Sequence, residues 1–143
     1  MNHTKLTIGL SQDALIKEIN ALCAWIDTCN LSTLPPIVNP AQESASQIEN
    51  AISESYNIVA LRLSGYVNSF TIKGDITSFT ITCPELNEAK KTLLVGAMEQ
   101  FVTCNAVAML YESQPQARHI VQEYATKRNA ALTSAKQLLA STQ

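Results

Sequence analysis

The stretch Pro84–Tyr111 reads PELNEAKKTLLVGAMEQFVTCNAVAMLY and decides the fold, because it opens like a helix and then turns apolar on nearly every face. Pro84 suits the first position of a helix, where its missing N–H costs nothing, and Glu85 and Glu88 favour the positive end of the helix dipole. At about 1.5 Å per residue the helix would be roughly 40 Å long. A helix that is apolar all round is normally covered on several sides. The stretch therefore predicts a central helix around which the rest of the chain, or further copies of it, must pack.

Composition places the chain among globular proteins that carry little charge. It has 143 residues, of which 46% are hydrophobic and 15% charged, and its net charge is −2. That length predicts one domain over residues 1–143. The low charge indicates that partners cover part of the surface, and the slightly negative balance argues against a basic nucleic-acid-binding patch. We expect no membrane span, because Glu99 and neighbouring polar positions make insertion of the apolar stretch costly.

Three further helices flank this central one. Leu15, Ile19, Leu22 and Ile26 recur at helical spacing and predict a first helix that begins after Ser11. A second, amphipathic helix is predicted to begin with Asn39 as cap and Pro40 as its first residue, and to end at Gly65. A fourth is predicted from about Gln116 to Leu139, leaving residues 140–143 as a polar tail.

Between the second and third helices the residue types change to those of β-strands. Residues 66–83 are rich in Thr, Ile, Phe and Val, with Lys73-Gly74-Asp75 as a central turn, so they predict a β-hairpin. An isolated hairpin is marginal in water, so it must pack on the helices or pair with another chain. Residues 1–10 are interpreted as an amino-terminal arm, with Lys5–Gly9 as a short strand or extended segment. The predicted fold is mainly α: a bundle of about four helices with one inserted hairpin.

Residues arranged for catalysis are missing from the sequence, and we expect no enzyme, cofactor or metal. Cys23, Cys29, Cys83 and Cys104 show no zinc spacing and are interpreted as buried free thiols. His119 with Glu123 is interpreted as a surface pair rather than half of a metal site. Glu99 is interpreted as a mark of the outward face of the central helix, with a buried acid of raised pKa as the alternative.

The order of these elements resembles the small head–tail connector (adaptor) proteins of tailed bacteriophages. The resemblance lies in layout and residue texture over 39–139: a helix such as PAQESASQIENAISESYNIVALRLSGYV, an inserted hairpin, the segment PELNEAKKTLLVGAMEQFVTCNAVAMLYES and a final helix like ARHIVQEYATKRNAALTSAKQLL. It rests on no diagnostic motif. The hairpin is better developed here than in shorter members of that family.

The resemblance implies a structural virion protein of the neck, assembled in the host cytoplasm. Identical subunits would form a closed, dodecameric ring between the portal and the next tail component, and DNA would pass through without sequence-specific binding. The interface with neighbouring subunits or the portal would involve the following residues: Phe70, Ile72, Phe79, Ile81, Leu138 and Leu139. The lysines that would face the DNA channel are Lys73, Lys90 and Lys91.

Two other functions remain open from the sequence. The chain could be a small cytoplasmic interaction adaptor or chaperone that uses the spare apolar surface of the central helix as a groove. It could also be an enzyme or ligand-binding protein whose site lies between the last two helices, near Glu99, Tyr111 and His119.

Overall fold

The computed structural model describes residues 3–29 and 43–140, and these form four helices and a three-stranded sheet. In chain order the elements are β1 (His3–Ser11), α1 (Gln12–Cys29), α2 (Glu43–Arg62), β2 (Val67–Lys73), β3 (Ile76–Pro84), α3 (Glu88–Tyr111), a short 3-10 helix (Pro115–Ala117) and α4 (Arg118–Ala140). The mainly helical class with a hairpin between the second and third helices is confirmed. The predicted start of the second helix at Asn39 and Pro40, and residues 141–143 of the tail, lie outside the described residues.

The sheet contains one strand more than the predicted hairpin. Its order is β1-β3-β2 with both pairings antiparallel, so the amino-terminal segment predicted as an arm or short strand pairs along the whole of β3. Every second residue of β1 faces the helices, as the two-residue period of a strand requires. Ile8 and Leu10 lie opposite Phe79 and Thr77, and all four are buried. The hairpin is therefore completed by this chain's own amino terminus.

The central helix begins later than its sequence indicates. Pro84 is the last residue of β3, where it lies opposite His3, so its prediction as the first helical residue is wrong. Asn87 is the true cap: its side-chain oxygen accepts the Lys90 N–H at 2.8 Å. β2 and the residue before it pair with β3 only as far as Thr82, so that side of the strand is an edge at Pro84, where a proline is tolerated. Asn is among the best helix caps. The hydrogen bond that the Lys90 N–H donates to Asn87 therefore fixes the start of α3.

The chain itself covers most of α3. The helix packs most extensively on α4, then on α2 and α1, and its residues from Phe101 to Ala108 are all buried. By length and composition α3 could cross a membrane, but 61% of its most apolar stretch is buried inside the chain. Uncovered apolar surface on α3 is confined to its first half, where Leu93 is 61% exposed. If further copies of the chain cover part of α3, the surface that they cover lies on this first half.

Candidate functional site

A buried polar chain of hydrogen bonds joins three of the helices. Asn105 of α3 is buried, and its side-chain amide donates to Ser55 Oγ of α2 at 2.8 Å. The Ser55 hydroxyl in turn donates to the Ala51 carbonyl. On the other side, Arg128 Nη1 of α4 donates to Asn105 Oδ1 at 2.9 Å. Buried polar groups must be satisfied, and this chain of bonds sets the positions of α2, α3 and α4 relative to one another.

A second buried hydrogen bond ties α1 to the end of α3. The Tyr111 hydroxyl donates to Asp27 Oδ1 at 2.7 Å and lies 3.2 Å from the Cys23 carbonyl oxygen. Burial, together with the bond to Asp27, raises the pKa of Tyr111 far above its usual range. Burial, with the nearby Asp27 charge, also raises the pKa of the Cys23 thiol to about 12. Both groups stay protonated at neutral pH, so the Tyr111 hydroxyl and the Cys23 thiol act here as structural groups that tie α1 to α3.

An open groove lies between the first half of α3 and the second half of α4. Its volume is about 780 Å³, and its surface is mostly apolar. Leu93, Gly96 and Ala97 form the α3 side, while Ala131 and Leu138 belong to the α4 side. The dimensions and apolar lining are typical of a site that receives another molecule rather than of a gap in packing.

Gly96 lines this groove, and no neighbouring atom requires a glycine at its position. A Cβ atom built on Gly96 would meet nothing within 4 Å. Glycine in the middle of a helix costs about 0.5–1 kcal/mol relative to alanine, so the chain accepts a loss of stability that its own packing does not require. Glycine in such a place permits close approach by another backbone. The open space above Gly96 is therefore the strongest sign of an external partner.

The charged residues that line the groove are both lysines. Lys90 stands near the start of α3, and Lys127 stands on α4. Lys127 Nζ lies 3.1 Å from Glu123 Oε2 and 4.7 Å from the centre of the Tyr124 ring. The hydrogen bond that Lys127 donates to Glu123 raises the pKa of Lys127, so this ammonium is charged at neutral pH. The groove thus combines an apolar floor with a basic rim.

The three residues proposed as an enzyme or ligand site face different surroundings. Glu99 is half-buried and lines a cleft of about 240 Å³ on the α1 side of α3, together with Glu18. Tyr111 is directed to Asp27 on α1. His119 is exposed on α4. The helices hold these side chains apart, so they form no shared pocket between α3 and α4.

Several residues predicted as interface residues belong instead to this chain's own core. Phe79, Ile81 and Leu139 are fully buried, so their prediction as contacts to a neighbour is wrong. Phe70 is half-buried, with its ring 5.3 Å from that of Phe79. The reason is the pairing of β1 with β3, which closes the sheet over the helices. Of the predicted set, Ile72 is exposed, and Leu138 lines the groove while half-buried.

The three lysines predicted to face DNA lie in three different settings. Lys73 is exposed at the end of β2, beside the turn at Gly74. Lys90 lines the groove. Lys91 Nζ lies 3.4 Å from Glu88 Oε1, and Lys91 borders a small cleft between β1 and the start of α3. Their role as channel contacts stays a prediction, and the fold separates them rather than forming one basic patch.

The four thiols and the His119–Glu123 pair lie in separate surroundings. Cys23, Cys83 and Cys104 are buried as predicted, but Cys29 is exposed at the end of α1, so that part of the prediction is wrong. Glu123 pairs with Lys127. No group of three metal-binding side chains occurs in the part of the chain that the structure describes.

Apolar side chains remain exposed on several elements besides α3. Within the described residues the large ones are Trp25, Leu61, Ile72, Ile76 and Leu93. Trp25 and Leu61 were not predicted as exposed, although both lie outside the apolar stripes of their helices, and that position is the signal that identifies them. Gly96 was also missed, because an apolar run does not reveal which of its faces lies open.

Comparison with protein-family models, curated proteins and solved structures finds no match to this chain.

Proposed function

We propose that this chain is a non-enzymatic structural subunit that assembles with copies of itself into a ring, in the manner of the head–tail connectors of tailed bacteriophages. In that role it would sit in the neck of the virion, between the portal and the next tail protein, and extend the DNA channel. Assembly would take place in the host cytoplasm.

The observation that carries the proposal is apolar surface left over after the core is complete. The described chain buries a continuous core, yet Leu61 is 70% and Trp25 67% exposed, and the groove around Gly96 stays open. Large apolar patches on a soluble chain mark contacts with other molecules. Because these features lie on α1, α2 and α3, they suit a subunit that contacts more than one neighbour.

Two further observations agree with the connector role. The order of helix, hairpin, long helix and final helix is the layout on which the resemblance rests. The lysines of the described surface are spread out, and the net charge is slightly negative. Each phosphate contact adds affinity, so a wall with scattered positive charge would let DNA pass without holding it.

The groove also favours a second candidate, an adaptor or chaperone that captures a helix of another protein. An apolar cleft between two antiparallel helices is a common receptor for an amphipathic helix. On this hypothesis the purified chain stays monomeric and binds such a peptide with its groove.

Mass measurement of the purified full-length chain across a range of concentrations, with particle imaging of the same samples, tests the proposal. Closed rings of uniform size would support the connector role. A chain that remains monomeric at the highest concentration, alone and with portal protein, would contradict it. Capture of a helical peptide by that monomer would favour the adaptor.

A further inference from the structure

We propose that the groove between α3 and α4 receives the outer face of α2 from a neighbouring copy of this chain. The inference rests on the proposed ring and names the contact that would build it. The outer face of α2 means Asn50, Glu54, Asn57 and Leu61, which recur at steps of four, three and four residues and so lie on one side of the helix. All four are exposed.

The two surfaces lie on opposite sides of the subunit. Asn105 follows Gly96 by nine residues, which turn a helix by about two and a half revolutions, so the two residues point in opposite directions from α3. Asn105 donates to Ser55, so α2 lies behind α3 as seen from the groove. Ser55 is fully buried and Leu61 is 70% exposed, so the outer face of α2 points away from the groove. A contact between them is head to tail, and such contacts generate rings when the rotation closes.

The charges of the two surfaces are complementary. Lys90 and Lys127 are the charged residues that line the groove, whereas the outer face of α2 carries Glu54. Glu49 and Arg62 are exposed on other sides of the same helix, so Glu54 is the charged residue of this face. Complementary charges direct two surfaces into one register and disfavour others.

The shapes are complementary as well. Gly96 has no side chain, so the space beside its Cα atom stays open, and a Cβ built there would meet nothing within 4 Å. The α2 helix of a neighbouring copy can approach closely there, because no side chain at Gly96 stands in its way. Leu61 supplies the large apolar side chain that an apolar groove requires, and Leu93 and Leu138 flank the space that would receive it.

Gly96→Trp is the first test, because a Cβ at this position meets nothing within 4 Å and the indole would fill the groove. The measured quantity is the chain concentration at which half of the protein is assembled, from sedimentation or light scattering. We expect Gly96→Trp to raise it at least about 30-fold, as loss of a central interface position does. Gly96→Ala, which adds a single methyl group, is the matched control, and circular dichroism should show unchanged helix content in both.

The opposite surface provides the second test. Leu61→Ser removes an exposed side chain, so it should weaken assembly without lowering helix content. Because the contact is head to tail, Gly96→Trp keeps an intact α2 face and Leu61→Ser keeps an intact groove. Mixing the two variants should therefore give dimers of one copy of each, and no rings.

A charge exchange is the third test. Glu54→Lys and Lys90→Glu should each weaken assembly about ten-fold, and the double variant should recover most of the loss. Glu49→Lys and Lys91→Glu make the same charge changes on other sides of the same helices, so they should have little effect. Acid is favourable at the amino-terminal end of a helix, so Lys90→Glu does not disfavour α3.

The outcomes separate the contact from the function. Rings that form unchanged with Gly96→Trp and Leu61→Ser would overturn this contact while the proposed function stands. A wild-type chain that never assembles would overturn both. Dimers formed by the Gly96→Trp variant alone would also overturn the proposed contact. With its groove blocked, such a variant could dimerise only through another surface.

Discussion

Replacing Asn105 with alanine should show how far the buried polar chain holds the helices together. Asn105 is 2% exposed and bonds to Ser55 on one side and Arg128 on the other. The substitution removes both bonds at once, while Ser55 keeps its own bond to the Ala51 carbonyl. The test therefore measures the connection between α2, α3 and α4 without leaving the serine hydroxyl unsatisfied.

The expected loss follows from the contacts of Asn105. A neutral hydrogen bond such as that to Ser55 contributes about 1 kcal/mol, and one from a charged group contributes roughly 1.5–3 kcal/mol. The lower end applies to Arg128, because it is only half-buried and water replaces part of the lost bond. The small cavity adds about 1 kcal/mol, and the better helix propensity of alanine returns roughly 0.5 kcal/mol. The free energy of unfolding should fall by about 3 kcal/mol, which lowers Tm by roughly 10 °C in a chain of this size.

Urea unfolding followed by far-UV circular dichroism measures this loss directly. Asn129→Ala is the matched control, because Asn129 is exposed and its oxygen accepts the weaker 3.3 Å bond from Arg128 Nε. That variant should stay within about 0.5 kcal/mol of the wild type. A loss below about 1 kcal/mol for Asn105→Ala, or one equal to that of Asn129→Ala, would refute the reasoning.

Three further predictions concern other parts of the molecule. Gly96→Ala should raise the free energy of unfolding of the unassembled chain by about 0.5–1 kcal/mol, seen as a higher Tm; a lower Tm would show that the space above Gly96 is not open. The pKa of the Asp75 carboxyl is held below its usual range by hydrogen bonds from Ser11 and from the Asp13 N–H. The contribution of Asp75 to the free energy of unfolding is therefore present above about pH 3.9 and is lost as the pH falls through the pKa of Asp75 in the folded chain. The Asp75→Ala variant should be less stable than the wild type at neutral pH and equally stable in acid. A pH-independent difference in urea unfolding would contradict this. A thiol reagent at pH 8 should label Cys29 rapidly in the native chain and all four thiols in denaturant, because burial protects the other three. Equally rapid native labelling of a second thiol would be inconsistent with their burial.

The spacing of neighbouring residues predicted a helix or a turn correctly where the residue type favours a single local structure. The spacing of Leu15, Ile19 and Ile26 predicted the buried face of α1, and Gly74, with φ of 64°, occupies the turn of the hairpin. Pro84 misled the prediction because proline fits both the start of a helix and the end of a strand, and the choice depends on pairing with His3. Such a pairing joins distant parts of the chain and leaves no local signal.

The candidate site was harder to predict for a related reason. Phe79 and Leu93 are both large and apolar, yet one lies in the core and the other is 61% exposed. Hydrophobicity predicts that a residue is buried by something, and the tertiary fold decides whether that is this chain or another. The exposure of Gly96 could not be predicted for the same reason, because it depends on how α4 packs against α3 and leaves the space beside Gly96 open.

The pairing of β1 with β3 has a consequence for how the protein is made. β1 leaves the ribosome before its partner β3, which follows only after α1, α2 and β2 have been synthesised. Until then the amino-terminal strand has an unpaired edge and an uncovered apolar side, a state prone to aggregation. A nascent chain stalled before Ile76 would therefore be the form of this protein that most needs a chaperone.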